Sequence, residues 1–126
     1  MDQETYRIGA VAAMCGLSVP TVRFYEEEGL IRKPARTLSG QRLYRAEDVK
    51  RLQFIAQCRN AGMALPCIKR VLACRFDHQV GSEELLHNLG QYLNEVQSRR
   101  EQLTRVESFL KELAAQIESE LSQNGQ

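Results

Sequence analysis

The chain of 126 residues has no tryptophan, three prolines and 6% aromatic residues. Few large rings are available to fill a core, so aliphatic side chains must do most of that work. No apolar run approaches the ~20 residues that a membrane helix needs. Met1-Asp2-Gln3-Glu4 carries neither the basic nor the apolar stretch of a secretion signal, so a cytoplasmic location with no membrane partner is expected. The four cysteines, Cys15, Cys58, Cys67 and Cys74, form no CxxC pair and are too sparse for a secreted disulfide scaffold. They read as reduced thiols. No His/Asp constellation stands beside any of them at a spacing useful to a thiol enzyme or metal carrier, which argues against an enzyme.

Net charge is also nearly absent, with 17 basic and 16 acidic residues giving +1. That figure hides a segregation. Residues 1–75 hold 13 Lys/Arg against 7 Asp/Glu, whereas residues 76–126 hold 4 against 9. The front is basic and the back acidic, which leaves a polyanion partner open for the first half alone.

Ile8, Val11, Ala12 and Cys15 recur at helical spacing, and Gly16 follows as a left-handed stop. Ser18 can cap a second helix that tolerates Pro20 in its first turn and runs to Gly29, with Val22 and either Phe24 or Tyr25 on its buried side. Two short helices across Gly16-Leu17-Ser18 make a helix-turn-helix layout. Ser39-Gly40 then separates two short runs, and Arg42 and Tyr44 alternating with Leu43 suggest a β-ribbon with one wet face, a small wing. A third helix opens on Ala46-Glu47-Asp48, whose acids suit its dipole, and reaches Gly62; a fourth spans Leu65 to Cys74.

From Ser82 the pattern is long and regular. Leu86, Leu89, Leu93, Val96, Arg100, Leu103, Val106, Leu110, Leu113, Ile117 and Leu121 follow at steps of three or four, a coiled-coil seam broken only by Arg100. About 40 helical residues make a rod on the order of 60 Å, too long to bury its stripe against a small head. A second copy is the simplest partner, antiparallel or parallel. The expected organisation is a mainly α chain: a winged helix-turn-helix head over 1–75, a hinge over 76–81, a dimerisation helix over 82–121 and a frayed polar tail over 122–126.

Three segments carry a resemblance. Tyr6-Arg7-Ile8-Gly9-Ala10-Val11-Ala12, Gly16-Leu17-Ser18 and Thr21-Val22-Arg23-Phe24-Tyr25-Glu26-Glu27-Glu28-Gly29-Leu30 resemble the N-terminal signature of the MerR family of bacterial transcription regulators. Arg36, Ser39-Gly40-Gln41-Arg42-Leu43-Tyr44, Asp48-Val49, Leu52, Phe54-Ile55 and Gly62-Met63 continue it, and the long helix is similar to the family's dimerisation helix. The resemblance implies a homodimer joined by an antiparallel coiled coil and seated on a palindromic promoter spacer of double-stranded DNA. It further implies that such a dimer represses in one state. In the other it bends and untwists the DNA, so that RNA polymerase is addressed only through the promoter, a form of indirect readout.

The DNA-binding candidates are Ser18, Thr21, Arg23 and Tyr25 on the second helix and Arg36, Gln41, Arg42 and Tyr44 on the wing. Hydroxyls and a guanidinium at the start of a recognition helix suit a major groove, and a cationic ribbon suits backbone or minor groove. Three of them have a plainer reading beside this one: Ser18 as cap, Tyr25 as core, Arg23 as solvated surface. Gln41 stands where the family most often has an aromatic residue, and Arg45 where a Ser or Thr cap is common. The dimer-interface candidates are Leu89, Leu93, Val96, Leu103, Val106, Leu110, Leu113 and Ile117.

Metal-responsive members of the family supply a cysteine at the start of the dimerisation helix and two more after it. Here that start reads Gln79-Val80-Gly81-Ser82, and no cysteine follows Leu121, so no cofactor and no metal site of the usual kind are expected. The candidate sensors are instead the thiols of Cys58, Cys67 and Cys74. Cys67 sits in a helix's first turn near Arg70, a setting that lowers a thiol pKa. An electrophile or oxidant at Cys58 or Cys67 is the expected inducing signal, and small buried core residues the plainer reading. Cys15 reads as core. Two alternatives stay open: a metal-responsive regulator with a non-standard site, and an architectural winged-helix protein that bends DNA without changing transcription.

Overall fold

The computed structural model describes residues 4–125, in the order β1 (Thr5–Tyr6), α1 (Ile8–Cys15), α2 (Val19–Glu27), β2 (Ala35–Arg36), β3 (Arg42–Arg45), α3 (Ala46–Asn60), α4 (Leu65–Phe76) and α5 (Glu83–Asn124). Helix α1 ends where Gly16 turns left-handed at φ +66°, a conformation that costs a residue with a Cβ 1–2 kcal/mol. The Gly16 and Leu17 amides then close the helix on the carbonyls of Ala13 and Ala12. Three residues later α2 begins, at 99° to α1, which is helix-turn-helix geometry.

The strands form a three-stranded antiparallel sheet in the order β1-β3-β2, with Tyr6 opposite Tyr44 and Ala35 opposite Leu43. The pattern of apolar residues left β1 undetected, because two residues are too few to show alternation. Between β2 and β3 the wing turn is closed by Gly40 N to Thr37 O at 2.9 Å and Thr37 N to Gln41 O at 2.8 Å.

Val11 of α1, Val22 of α2, Leu30, Tyr44 of β3, Leu52 and Ile55 of α3 and Leu72 of α4 are almost wholly excluded from water. They join α1, α2, β3, α3 and α4 in one core, and each contributes roughly 2 kcal/mol by its burial. Tyr25, not Phe24, faces that core from α2. At the start of α3 the Asp48 carboxylate accepts from the Arg45 amide at 2.8 Å and from Arg32 Nε at 3.2 Å. An acid three residues into the helix thus performs the capping that the Arg45 side chain cannot.

Two expected boundaries shift. Helix α4 extends to Phe76, whose ring meets Phe54 edge-on at 5.2 Å, so the linker spans 77–82. The first compact unit runs to Asn88 rather than to residue 75, because Leu85 in the first turn of α5 is buried and Glu84 pairs with Arg70 at 3.2 Å. Ser82 caps that turn, accepting from the Leu85 amide at 3.1 Å. The second unit begins at Leu89 and consists of the rest of α5. The frayed tail expected from residue 122 is also corrected: α5 remains helical through Asn124, since polarity alone does not end a helix.

Candidate nucleic-acid interface

Helix α2 is positioned by its own first turn. Ser18 Oγ accepts from the Thr21 amide at 3.2 Å and lies 2.7 Å from the Thr21 hydroxyl. Arg23 stands exposed one turn on, with Phe24 half-exposed beside it. Tyr25 lies 4% exposed, its ring in the core.

On the wing, Arg36 donates to the Gly40 carbonyl at 2.9 Å and stiffens the turn. Tyr44 requires a correction: it was expected on the wet face, yet it is wholly buried. The strand alternates as the sequence suggested, but the face carrying Arg42 and Tyr44 is the inward one. The reason is Glu26 of α2, a buried carboxylate that accepts from Arg42 Nε at 2.8 Å and from the Tyr44 hydroxyl at 3.2 Å. Burial and the Glu26 charge push the Tyr44 phenol up to about 12, with Arg42 and Arg23 pulling the other way. Tyr44 therefore locks the wing to α2 and presents no hydroxyl to a ligand.

A cleft of about 340 Å³ opens between the start of α1, α2 and the wing, lined by Arg7, Ile8, Arg23, Gly40, Gln41 and Arg42. Arg7 donates to the Gln41 side-chain oxygen across the cleft. The structure thus gathers Arg23, Gln41 and Arg42 from the expected set and adds Arg7, which sequence reasoning missed. Ser18 and Thr21 remain at the start of α2 and Arg36 on the wing. The signal for Arg7 was its place just before the first helix in a chain half rich in arginine.

A second set of ion pairs ties α3 to the end of α4. Arg51 donates from Nε to the Leu30 carbonyl at 2.6 Å and grips Asp77 through both terminal nitrogens at 2.8 and 3.1 Å. Its guanidinium lies 5.6 Å from the centre of the Phe76 ring. This bidentate contact holds the Asp77 carboxyl below its usual range.

The thiols differ from expectation. Cys58 and Cys67 are buried, and burial pushes both thiols up; for Cys67 it outweighs the nearby Arg70. The lowered pKa expected for Cys67 is thereby overturned, because desolvation of a thiolate exceeds the benefit of one cation at the helix start. Cys74 is half-buried. Cys15 lies in the core, its Sγ 3.7 Å from the Val49 carbonyl. Among the described residues no three His, Cys, Asp or Glu side chains converge as metal ligands.

Along α5 the expected interface residues Leu93, Val96, Leu103, Val106, Leu110, Leu113 and Ile117 are 40% to 67% exposed, and Leu89 is half-buried. Phe109 and Leu121 add to the exposed apolar surface. Glu107 pairs with Lys111 in its own helix at 3.1 Å. No single helix among the described residues is long and apolar enough to cross a membrane.

A helix-turn-helix pair, a hairpin wing and a basic cleft between them define a winged helix-turn-helix DNA-binding protein. Residues 6–74 match the MerR HTH family regulatory protein, and residues 49–113 match the MerR DNA-binding family. The chain is 37% identical over 107 residues to the HTH-type transcriptional regulator ZntR homolog of Haemophilus influenzae, covering 85% of this chain and 79% of that one. It is 32% identical to the mercuric resistance operon regulatory protein of Bacillus cereus, covering 86% and 82%. Among solved structures it is similar to HiNmlR, a MerR family regulator lacking the sensor domain, bound to promoter DNA, with a TM-score of 0.65 and 30% identity over 81% of this chain and 77% of that one. It is also similar to PbrR691 of Ralstonia metallidurans in complex with lead(II), with a TM-score of 0.60 and 34% identity over 86% and 84%. The chain belongs to the MerR family: it is a DNA-binding transcriptional regulator and not an enzyme.

Proposed function

We propose that two copies of this chain pair along α5 as an antiparallel coiled coil, bind a palindromic promoter spacer, and switch transcription by bending and untwisting the DNA. RNA polymerase responds to the altered promoter and need not touch the sensor. The observation that carries this reading is the cleft in which Arg7, Arg23 and Arg42 come together beside α2. Clustered guanidiniums at a recognition helix suit a phosphate backbone better than any neutral ligand. Phosphate contacts by Arg36 on the wing, and contacts by Ser18, Thr21 and Gln41, complete the surface. Tyr25 contributes through its packing. The exposed leucine stripe of α5 supports pairing, since apolar patches of that extent mark interaction surfaces.

The inducing signal on this reading is a thiol-reactive or oxidative compound at the α3–α4 cysteines. Cys74 is the thiol such a compound meets first, because Cys58 and Cys67 are buried and their thiolates are disfavoured. A metal signal is the second reading, favoured by the likeness to PbrR691, which was solved with lead(II).

In vitro transcription from the DNA upstream of the protein's own coding region, with a parallel footprint, tests both. The expected result is a protected inverted repeat and a transcript level that changes when a thiol reagent, or zinc, is added. Protection and bending without any change in transcript would select the architectural alternative.

A further inference from the structure

Resting on the reading that the basic cleft meets duplex DNA, we propose that Arg7 is a phosphodiester-binding residue, held in place by Gln41, which grips the DNA backbone where α1 meets the wing. Three features of the head converge on this.

The first is charge. Of the three guanidiniums around the cleft, Arg42 is neutralised by Glu26 at 2.8 Å. Among the described residues Arg7 and Arg23 form no ion pair. Among the described residues no carboxylate lines the cleft. An oxyanion entering it meets uncompensated positive charge on two sides.

The second is the nature of Arg7's partner. Gln41 reaches Arg7 from the wing, 34 residues away, and offers a neutral amide oxygen. A neutral acceptor orients a guanidinium while leaving its charge available, whereas a glutamate there would cancel it. The remaining N–H groups of the fork suit a phosphate.

The third is an unfavourable placement that an anion would relieve. Arg7 is the N-cap residue of α1, which has no side-chain cap and no acid in its first turn. A cation at a helix N-terminus opposes the helix dipole. The adjoining cleft includes Ile8, the first helical residue. A phosphate seated there accepts from the guanidinium and faces the positive end of α1, satisfying both.

The test uses the full chain and the footprinted upstream duplex, with Kd measured against salt concentration for wild type, Arg7→Ala, Arg7→Lys, Gln41→Ala and Gln41→Glu. Arg7→Ala is expected to weaken binding about tenfold and to flatten the salt slope by about 0.9 for each bound head. Gln41→Ala weakens binding several-fold with the slope retained, Gln41→Glu behaves as Arg7→Ala, and Arg7→Lys recovers the slope. Substituting single phosphates by methylphosphonate should reveal one position per half-site that costs wild type about tenfold and costs Arg7→Ala nothing. Inorganic phosphate replacing chloride at constant ionic strength should compete only weakly, because a duplex presents its phosphate already positioned by the other contacts. Wild-type Kd and slope in Arg7→Ala, with duplex binding intact, would overturn the assignment and leave the DNA-binding reading standing. Absence of duplex binding by wild type would overturn both.

Discussion

Removing the Glu26 carboxylate should be among the most damaging single changes available in the head. Glu26 is 9% exposed and holds two partners, the Arg42 guanidinium at 2.8 Å and the Tyr44 hydroxyl at 3.2 Å. Glu26→Ala leaves a wholly buried phenol without its acceptor, at a cost of about 1–3 kcal/mol. It also strands Arg42, whose side chain is 22% exposed. A fully buried pair loses about 3–5 kcal/mol when one partner is deleted, and the water still reaching Arg42 brings its share toward the low end. Together the loss is about 4–6 kcal/mol, a large part of the 5–15 kcal/mol typical of a domain. Tyr44→Phe removes one donor and leaves the ion pair, so about 1 kcal/mol is expected. Urea unfolding followed by circular dichroism, at one fixed protein concentration because association adds stability by mass action, measures both. If Glu26→Ala is no worse than Tyr44→Phe, the carboxylate is not the anchor joining wing to α2.

The Tyr44 phenol, raised to about 12 in the folded state, favours folding fully below the ordinary tyrosine value near 10. That contribution is lost as pH climbs from there through 12, and Tyr44→Phe should flatten this alkaline decline in unfolding free energy. Asp77 behaves oppositely: its carboxyl is held down by Arg51, so its stabilisation is present above the ordinary Asp value near 3.9 and fades as pH falls below it. Asp77→Asn should remove that part of the acid limb and leave neutral stability slightly lower. With a disulfide thiol reagent at neutral pH, the native protein should react at Cys74 before Cys58 or Cys67, as mapped by mass spectrometry; earlier labelling of either buried thiol would contradict the burial argument. Leu52→Ala, at a wholly buried position, should cost about 2–5 kcal/mol in the same urea assay.

Helices α1 to α4 were legible because each carries local punctuation: Gly16 as a stop, Ser18 as a cap, Glu47 and Asp48 in the first turn of α3, Pro20 and Pro66 in the first turns of α2 and α4. The Ser39-Gly40 turn placed the wing. What periodicity could not decide was which face of β3 points inward. Alternation has two solutions, and the choice rests on Glu26, a charge that looks solvated in sequence and is buried only because Arg42 and Tyr44 meet it from 16 and 18 residues away. The same limit hid Arg7, whose contact with Gln41 spans 34 residues. Cys67 was misjudged for a related reason: its helix position and Arg70 are local, while the burial that outweighs them is set by packing between helices. Leu85 escaped because one buried leucine beside a long exposed stripe breaks no periodic rule.

The central claim, that basic heads act in pairs on an inverted repeat, is tested most directly by counting chains per duplex. Light scattering on complexes with the footprinted operator, and with a single half-site, should give two chains on the whole repeat. Leu103→Glu with Leu110→Glu, two exposed positions on the α5 stripe, should yield a folded monomer with greatly weakened operator binding. One chain bound per operator at full affinity, or a double variant that still pairs and binds as wild type, would contradict the account.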